Sequence, residues 1–259
     1  MIRSILEKYK RGEINLEEAE RELKLFCFHE IKDFGKLDLQ RENRVGIPEI
    51  ILGEGKKVEE LCEICEEMLK NKGRCIITKL DSEKLKKVKE KFENFISKEY
   101  ERSRILVLKN KEFKTQKNRG KVAIITAGTA DIPVAEEAKA IAEEMGCEVY
   151  TFYDVGVAGV HRLLRAIEEI IKEEVDVVIV AAGREGALPS VVAGLIDIPV
   201  IGLPTSFGYG IGGKGKASLY AMLQSCSLGM AVVNIDNGVG AGAFAGLIAN
   251  RIAKFRLNS

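Results

Sequence analysis

The chain has 259 residues, 46% of them hydrophobic, and a formal net charge of +1. That length accommodates two domains, and near-neutrality gives no electrostatic reason to expect nucleic acid or an anionic membrane surface as a partner. The longest apolar runs, such as 175–182, are strand-length and too short to span a bilayer.

In chain order, helices are expected over 1–9 and 16–28. The second starts at an Asn15 cap, with Glu17, Glu18 and Glu20 suited to the positive helix end. Asp38, Arg41 and Arg44 follow at a spacing of three, on one side of a helical turn that Pro48 ends. This trio is either a surface ion-pair cluster or an anion clamp, since guanidinium forks suit phosphate and carboxylate. A strand over 49–52, a helix over 58–70, a strand over 74–78, a helix over 83–96 and a strand over 104–108 complete a small α/β module. Cys62 and Cys65 form a CxxC, but Val58, Leu61, Cys62, Cys65 and Leu69 share one helical face, which reads as core. The lysine-rich run 84–91 reads as the solvated face of its helix.

Residues 111–119 lack apolar periodicity and read as a linker, giving domains over 1–119 and 120–259. Glycine usage changes at the same place: only Gly12, Gly35, Gly46, Gly53, Gly55 and Gly73 precede it. Beyond it, near-continuous apolar strands alternate with helices. Strands are expected at 122–126, 148–153, 176–180, 199–203 and 230–235, and helices at 132–145, 160–172, 187–195, 216–225 and 241–255. Such a pattern predicts a three-layer α/β fold, a parallel sheet covered on both faces. Ligands then bind at the carboxyl ends of the strands. Gly128, Thr129, Asp131, His161, Gly183, Glu185, Ser206, Gly208 and Asn237 are expected to converge there.

Gly128-Thr-Ala-Asp, at a strand-to-helix turn, can offer amides and a hydroxyl to a phosphate, or can be a tight turn capped by Thr129 and Asp131. It is neither a Walker loop nor a dinucleotide GxGxxG. The glycine-rich loop starting at Ser206 carries two aromatics and ends in Lys214 and Lys216, and it reads as a mobile lid. His161 opens a helix, as a terminus residue or as a phosphate or acid–base group. Glu185, placed by sequence deep at a central strand end, is expected to need a partner. Cys226, between Ser225 and Ser227 at a helix-to-strand corner, is either one more buried thiol or a nucleophile at the mouth of the sheet. Six cysteines at irregular spacing argue against a disulfide scaffold. With no leader visible, a reducing cytoplasm is expected.

From about Lys121 to Phe255 the chain resembles the PurE family of aminoimidazole ribonucleotide carboxylases and mutases, a flavodoxin-like fold. The resemblance rests on Gly128–Asp131, on Gly159-Val-His-Arg, and on the segment 182–189. In that last segment Arg184-Glu185-Gly186 replaces the Ala-His of the PurE motif, so its catalytic histidine is absent. With Cys226, Asn234-Ile-Asp-Asn-Gly and the segment 38–49, the chain resembles the LarB family of pyridinium-3,5-biscarboxylic acid mononucleotide synthases over nearly its full length.

That resemblance implies a reaction: nicotinic acid adenine dinucleotide, CO2 or bicarbonate and water give the biscarboxylated mononucleotide and AMP, the first step of nickel-pincer cofactor biosynthesis. It implies Cys226 as the thiolate that adds to the ring and Glu185 as the base that takes the ring proton. Substrate contacts would come from Gly128, Thr129, Asp131, His161, Arg184, Ser206, Gly208, Lys214, Asn237, Arg41 and Arg44. Because Cys226 faces the negative pole of a helix, its activation is assigned to the cationic ring or to Lys214, Lys216 or Arg184. Phosphoanhydride cleavage calls for Mg2+ or another divalent ion, with Asp131, Asp154 and Asp236 as the available carboxylates; no tightly bound organic cofactor is expected. A homo-oligomer is expected, an octamer by resemblance. The alternatives are a PurE-like mutase and a non-catalytic nucleotide-binding regulator.

Overall fold

A computed structural model of the chain describes residues 2–24, 29–31, 35–116 and 118–258. They form two compact units, Met1–Glu99 with Leu106–Phe113, and Tyr100–Ile105 with Lys114–Ser259.

In the first unit, helices α1 (Ile2–Lys10) and α2 (Leu16–Lys24) form a hairpin. Asn15 caps α2 reciprocally with Glu18: the Glu18 amide donates to Asn15 Oδ1 (2.8 Å) and the Asn15 amide to Glu18 Oε2 (3.0 Å). The end of the expected 16–28 helix, and Cys27, lie outside the described residues. A short hairpin not expected from sequence follows, β1 (His29–Ile31) against β2 (Gly35–Leu37). Next come α3 (Arg41–Val45), β3 (Ile50–Leu52), α4 (Val58–Lys72), β4 (Arg74–Thr78), α5 (Ser82–Lys91), β5 (Ile96–Tyr100) and β6 (Ile105–Lys109). The sheet has the order β3-β4-β6-β5. The expected helix over 83–96 is thus too long. It starts on an Asp81 cap, whose carboxylate accepts the Lys84 amide at 2.8 Å, and it stops at Lys91. Val88 on its last turn is buried in the core, Phe92 and Phe95 then turn into it, and Ile96 opens a strand instead.

Cys62, Cys65 and Cys75 are buried in that core, as the helical-face reading predicts. Cys75 donates a thiol contact to Cys65 at 3.8 Å. Lys87 and Lys91 on α5 pair with Glu83 and Glu66 at the surface.

The second unit holds a five-stranded, fully parallel sheet. Its strands are β7 (Lys121–Thr126), β8 (Glu148–Phe152), β9 (Val177–Ala182), β10 (Val200–Pro204) and β11 (Met230–Val232). The spatial order is β11-β10-β9-β7-β8, the doubly wound 2-1-3-4-5 arrangement of flavodoxin-like folds. Alternate residues feed two cores. Val122, Ile124, Val177 and Ile179 meet helices α6 (Ile132–Glu144) and α10 (Gly238–Asn258) on one face. Ala123, Ile125, Val178 and Val180 meet α7 (His161–Lys172), α8 (Leu188–Ala193) and α9 (Lys216–Leu223) on the other. The last strand is shorter than expected and only half buried, because β11 is an edge strand.

The small-residue run at the start of α10 closes the gap to α6. Ala241, Ala245 and Ala249 are fully buried, and a Cβ on Gly242 would lie 2.3 Å from the Ala138 carbonyl oxygen. Gly242→Ala forces two backbones apart, so a loss of about 1–3 kcal/mol is expected. Urea denaturation of this variant against Gly213→Ala, whose added Cβ meets only the Gly210 carbonyl at 3.4 Å, checks it.

Candidate functional site

In a doubly wound sheet the first strand of the unit lies in the middle, and crossovers leave it in opposite directions. That switch point falls between β7 and β9, whose carboxyl ends open a crevice. A cleft of about 600 Å³ occupies it. Its walls are the turn after β7 (Ala127, Gly128, Ala130, Asp131), the turn after β8 (Gly156–Ala158), the turn after β9 (Gly183–Glu185), the start of α8 (Ala187, Leu188) and the loop after β10 (Phe207–Tyr209).

Asp131 is the centre of this edge. It is 5% exposed, accepts the Gly128 amide at 2.9 Å and the Thr205 hydroxyl at 2.6 Å, and interacts with the Gly183 amide. Burial pushes its carboxyl above the usual aspartate range, against the opposing pull of those donors. Asp236, which raises it further, accepts the Ser206 amide at 2.8 Å. The stem of the glycine-rich loop therefore hangs on two carboxylates.

Close approach decides the next position. A Cβ on Gly183 would lie 2.1 Å from the Phe207 carbonyl oxygen and 2.8 Å from Thr205 Oγ1, so only glycine lets the two loops meet. The Phe207 carbonyl instead accepts the Arg184 amide at 3.0 Å. Arg184 has φ +47°, a left-handed conformation that is uncommon outside glycine. Its guanidinium stands 4.5 Å from the centroid of the Tyr209 ring. Glu185, beside it, is exposed at the cleft, not buried, so it needs no protein partner.

Of the residues singled out from sequence, Gly128, Asp131, Arg184, Glu185 and Gly208 meet in this cleft. Thr129 is exposed next to it, and Ser206 stands on the loop stem. His161 is exposed at the first turn of α7, and Lys214 is exposed with φ +60°. Asn237 accepts the Gly240 amide at 2.9 Å in the first turn of α10. In the first unit, Arg44 is bound by both nitrogens to Asp38, one at 3.0 Å, and Arg41 faces Glu49 at 3.8 Å. Both guanidiniums of the expected clamp are thus already paired.

The three aspartates offered for a metal do not form a ligand set. Asp131 is spent on Gly128 and Thr205, Asp236 on Ser206, and Asp154 on Arg162 at 2.7 Å. Among the described residues no group of three His, Cys, Asp or Glu side chains could hold a metal ion.

Cys226 departs furthest from expectation. It is exposed, but at the wrong end of the sheet for the mouth. The start of β11 pairs with the start of β10, Met230 against Val200, so the turn before Met230 lies at the amino edge. Ser227, next to it, donates to the Ser190 carbonyl of α8 at 2.7 Å. Five strand residues at ~3.3 Å each put roughly 16 Å between that edge and the cleft.

The sequence singles out neither Thr205 nor a role for Phe207 and Tyr209, which it marks only as the two aromatics of the loop. Thr205 follows an apolar strand and looks like its continuation. Tyr209, set between Gly208 and Gly210, carried a readable signal: an aromatic on a glycine hinge rarely serves a core. No helix among the described residues is long and apolar enough to cross a membrane.

Residues 121–257 match the model of the AIR carboxylase family, and residues 28–111 match the model described as LarB/PurE-like N-terminal domain. An uncharacterized protein of Methanocaldococcus jannaschii is 48% identical over 98% of both chains. The N5-carboxyaminoimidazole ribonucleotide mutase of the same organism is 35% identical, over 48% of this chain and 75% of that enzyme. The mutase of Pyrococcus horikoshii is also 35% identical, over 48% and 69%. A crystal structure of a Treponema denticola PurE2 variant covers 54% of this chain and 82% of its own at 25% identity, with a TM-score of 0.39.

Because the folded-state pKa of Asp131 is raised, protonation favours the native state. The contribution is full below the unfolded value near 3.8 and is lost as pH rises through the higher native value. The stability of Asp131→Asn relative to wild type is therefore expected to improve as pH is raised from about 4 through the native titration. Denaturation midpoints of both proteins across that interval test it; a constant difference contradicts it.

Proposed function

The chain belongs to the AIR carboxylase family, and on that premise we propose that it carboxylates the pyridinium ring of nicotinic acid adenine dinucleotide. The products are pyridinium-3,5-biscarboxylic acid mononucleotide and AMP. One observation carries the reading. The cleft of an AIR carboxylase domain, joined to a LarB/PurE-like N-terminal domain, presents Arg184 and Glu185 where the PurE motif has its histidine. A mutase that relies on that histidine has no counterpart for it here, which disfavours an aminoimidazole substrate.

The chemistry follows from the ring. An electron-poor pyridinium cannot attack CO2 through carbon 5. Addition of a thiolate at carbon 4 forms a C–S bond and turns the ring into a neutral dihydropyridine, whose carbon 5 is an enamine carbon. That carbon attacks CO2 and forms the new C–C bond. Glu185 takes the proton left on carbon 5, and the ring nitrogen's electron pair then expels the thiolate, restoring aromaticity. Water cleaves the phosphoanhydride to release AMP. Glu185 suits its step because its carboxyl is solvent-facing on the cleft wall. Arg184 stands beside it as the cation for the substrate's anionic groups.

In this reading the thiol of Cys226, at the amino edge of the sheet, serves the carboxyl-edge cleft of a second copy. Support comes from its surroundings: Tyr220, Leu223 and Leu228 are 63%, 62% and 89% exposed beside it, an apolar face that a second copy would cover.

With the dinucleotide and 13C-bicarbonate, the wild type is expected to release AMP and incorporate label, seen by mass spectrometry; absence of both refutes the reading. Cys226→Ser and Glu185→Gln should each lose product by at least about a hundredfold. Co-expressed, they should recover about a quarter of wild-type activity, since random pairing leaves that share of sites with one intact thiol and one intact carboxylate. No recovery would refute the shared site.

A further inference from the structure

Tyr209 is engaged by the Arg184 side chain, which hydrogen-bonds to it and stands over its ring. It is 79% exposed at the lip of the cleft, too exposed to stabilise a core. Gly208 and Gly210 flank it, and a Cβ on Gly210 would meet nothing within 4 Å. The loop is nevertheless fixed at its root, where Thr205, Ser206 and Phe207 are held by Asp131, Asp236 and the Arg184 amide. The ring therefore turns on a short hinge above a defined point of the cleft.

One face of that ring is already a seat for a cation, with the Arg184 guanidinium 4.5 Å from its centroid. An electron-rich phenol face attracts a delocalised cation whether it is a guanidinium or an aromatic ring carrying positive charge. The remaining charged residues of the cleft are Asp131 and Glu185, both acidic, and its opposite wall is apolar at Val157 and Leu188. A flat cation suits that slot better than a neutral ring does.

We propose that Tyr209 is a specificity-determining residue whose ring stacks on the positively charged aromatic ring of the substrate, in the place that Arg184 holds in the free protein. The inference rests on the pyridinium reading above and adds what makes the site prefer an oxidised ring. As the ligand's anionic groups draw Arg184 away, the phenol face is freed for the ligand's ring, so one ligand with both features replaces one internal contact. A neutral ring of the same size gains the area but not the charge attraction.

The test compares nicotinic acid mononucleotide with its 1,4-dihydro form, which differ by one hydride and by the charge of the ring. Binding is measured by calorimetry in the Cys226→Ser background, so that no covalent adduct contributes. The cationic form is expected to bind about three- to thirtyfold more tightly. Tyr209→Phe should keep that preference, and Tyr209→Leu should reduce it to within about twofold while still binding both forms. Because the side chain is exposed, neither change should disturb folding. Equal affinities without the substitution, or a preference that survives Tyr209→Leu, overturns the role of Tyr209 and leaves the carboxylation reading standing. Binding of neither nucleotide, together with no AMP from the dinucleotide in the otherwise unaltered protein, overturns both.

Discussion

The cleft depends on one buried carboxylate. Asp131 gathers the Gly128 amide, the Gly183 amide and the Thr205 hydroxyl, and so ties together the turns after β7, β9 and β10. Each of those turns leaves a different strand, and nothing in a parallel sheet fixes them to one another, because the ladder ends where they begin. A buried acceptor with several donors supplies the missing constraint. It costs desolvation, and the still-raised pKa records that the donors, even with all in place, offset only part of that cost. Arg184 and Glu185 inherit their positions from this knot: Gly183 brings the β9 turn against Phe207, and the two residues that follow are aimed outward.

The second unit's sheet was legible because its signals are local and redundant. Apolar strands such as 177–182 and the spacing of Leu163, Ile167 and Ile170 on one helical face leave little choice of element. The first unit was less legible at β5. Ile96-Ser-Lys-Glu-Tyr is exposed along most of its length and has no apolar alternation, so the helix pattern of α5 ran into it. Only the turn of Phe92 and Phe95 into the core, their rings 5.7 Å apart edge to face, ends that helix. That is a tertiary cause, invisible to a window of sequence. The exposed Glu185 shows the same limit. A strand end predicts proximity to the ligand edge, but not whether the side chain points into the protein or out of it.

Cys226 exposes a different limit. In a doubly wound sheet every second connection lies at the opposite edge: loops leaving strands sit at the carboxyl end, and turns entering strands sit at the amino end. A cysteine just before β11 is of the second kind, whatever chemistry its neighbours imply. Connectivity alone would have assigned the edge, had strand direction been weighed before residue type.

That placement changes what a site means for this chain. Within one copy, the cleft has a carboxylate, a cation and an aromatic lip but no thiol, and the exposed thiol has an apolar surround but no cleft. For the proposed carboxylation, each half is incomplete by chemistry. Glu185 can remove a proton only from a carbon already made acidic, and a pyridinium carbon becomes so only after a nucleophile has added. A thiolate on an open surface, for its part, adds reversibly and without consequence unless CO2 and a base stand on the ring's other side. Separating the two on one chain also keeps a free thiol away from the base and cation that would hold its adducts. On the proposed reaction, assembly does more than add stability: it sets when the thiol meets the ring, so that carboxylation begins only where two copies have closed over the same substrate.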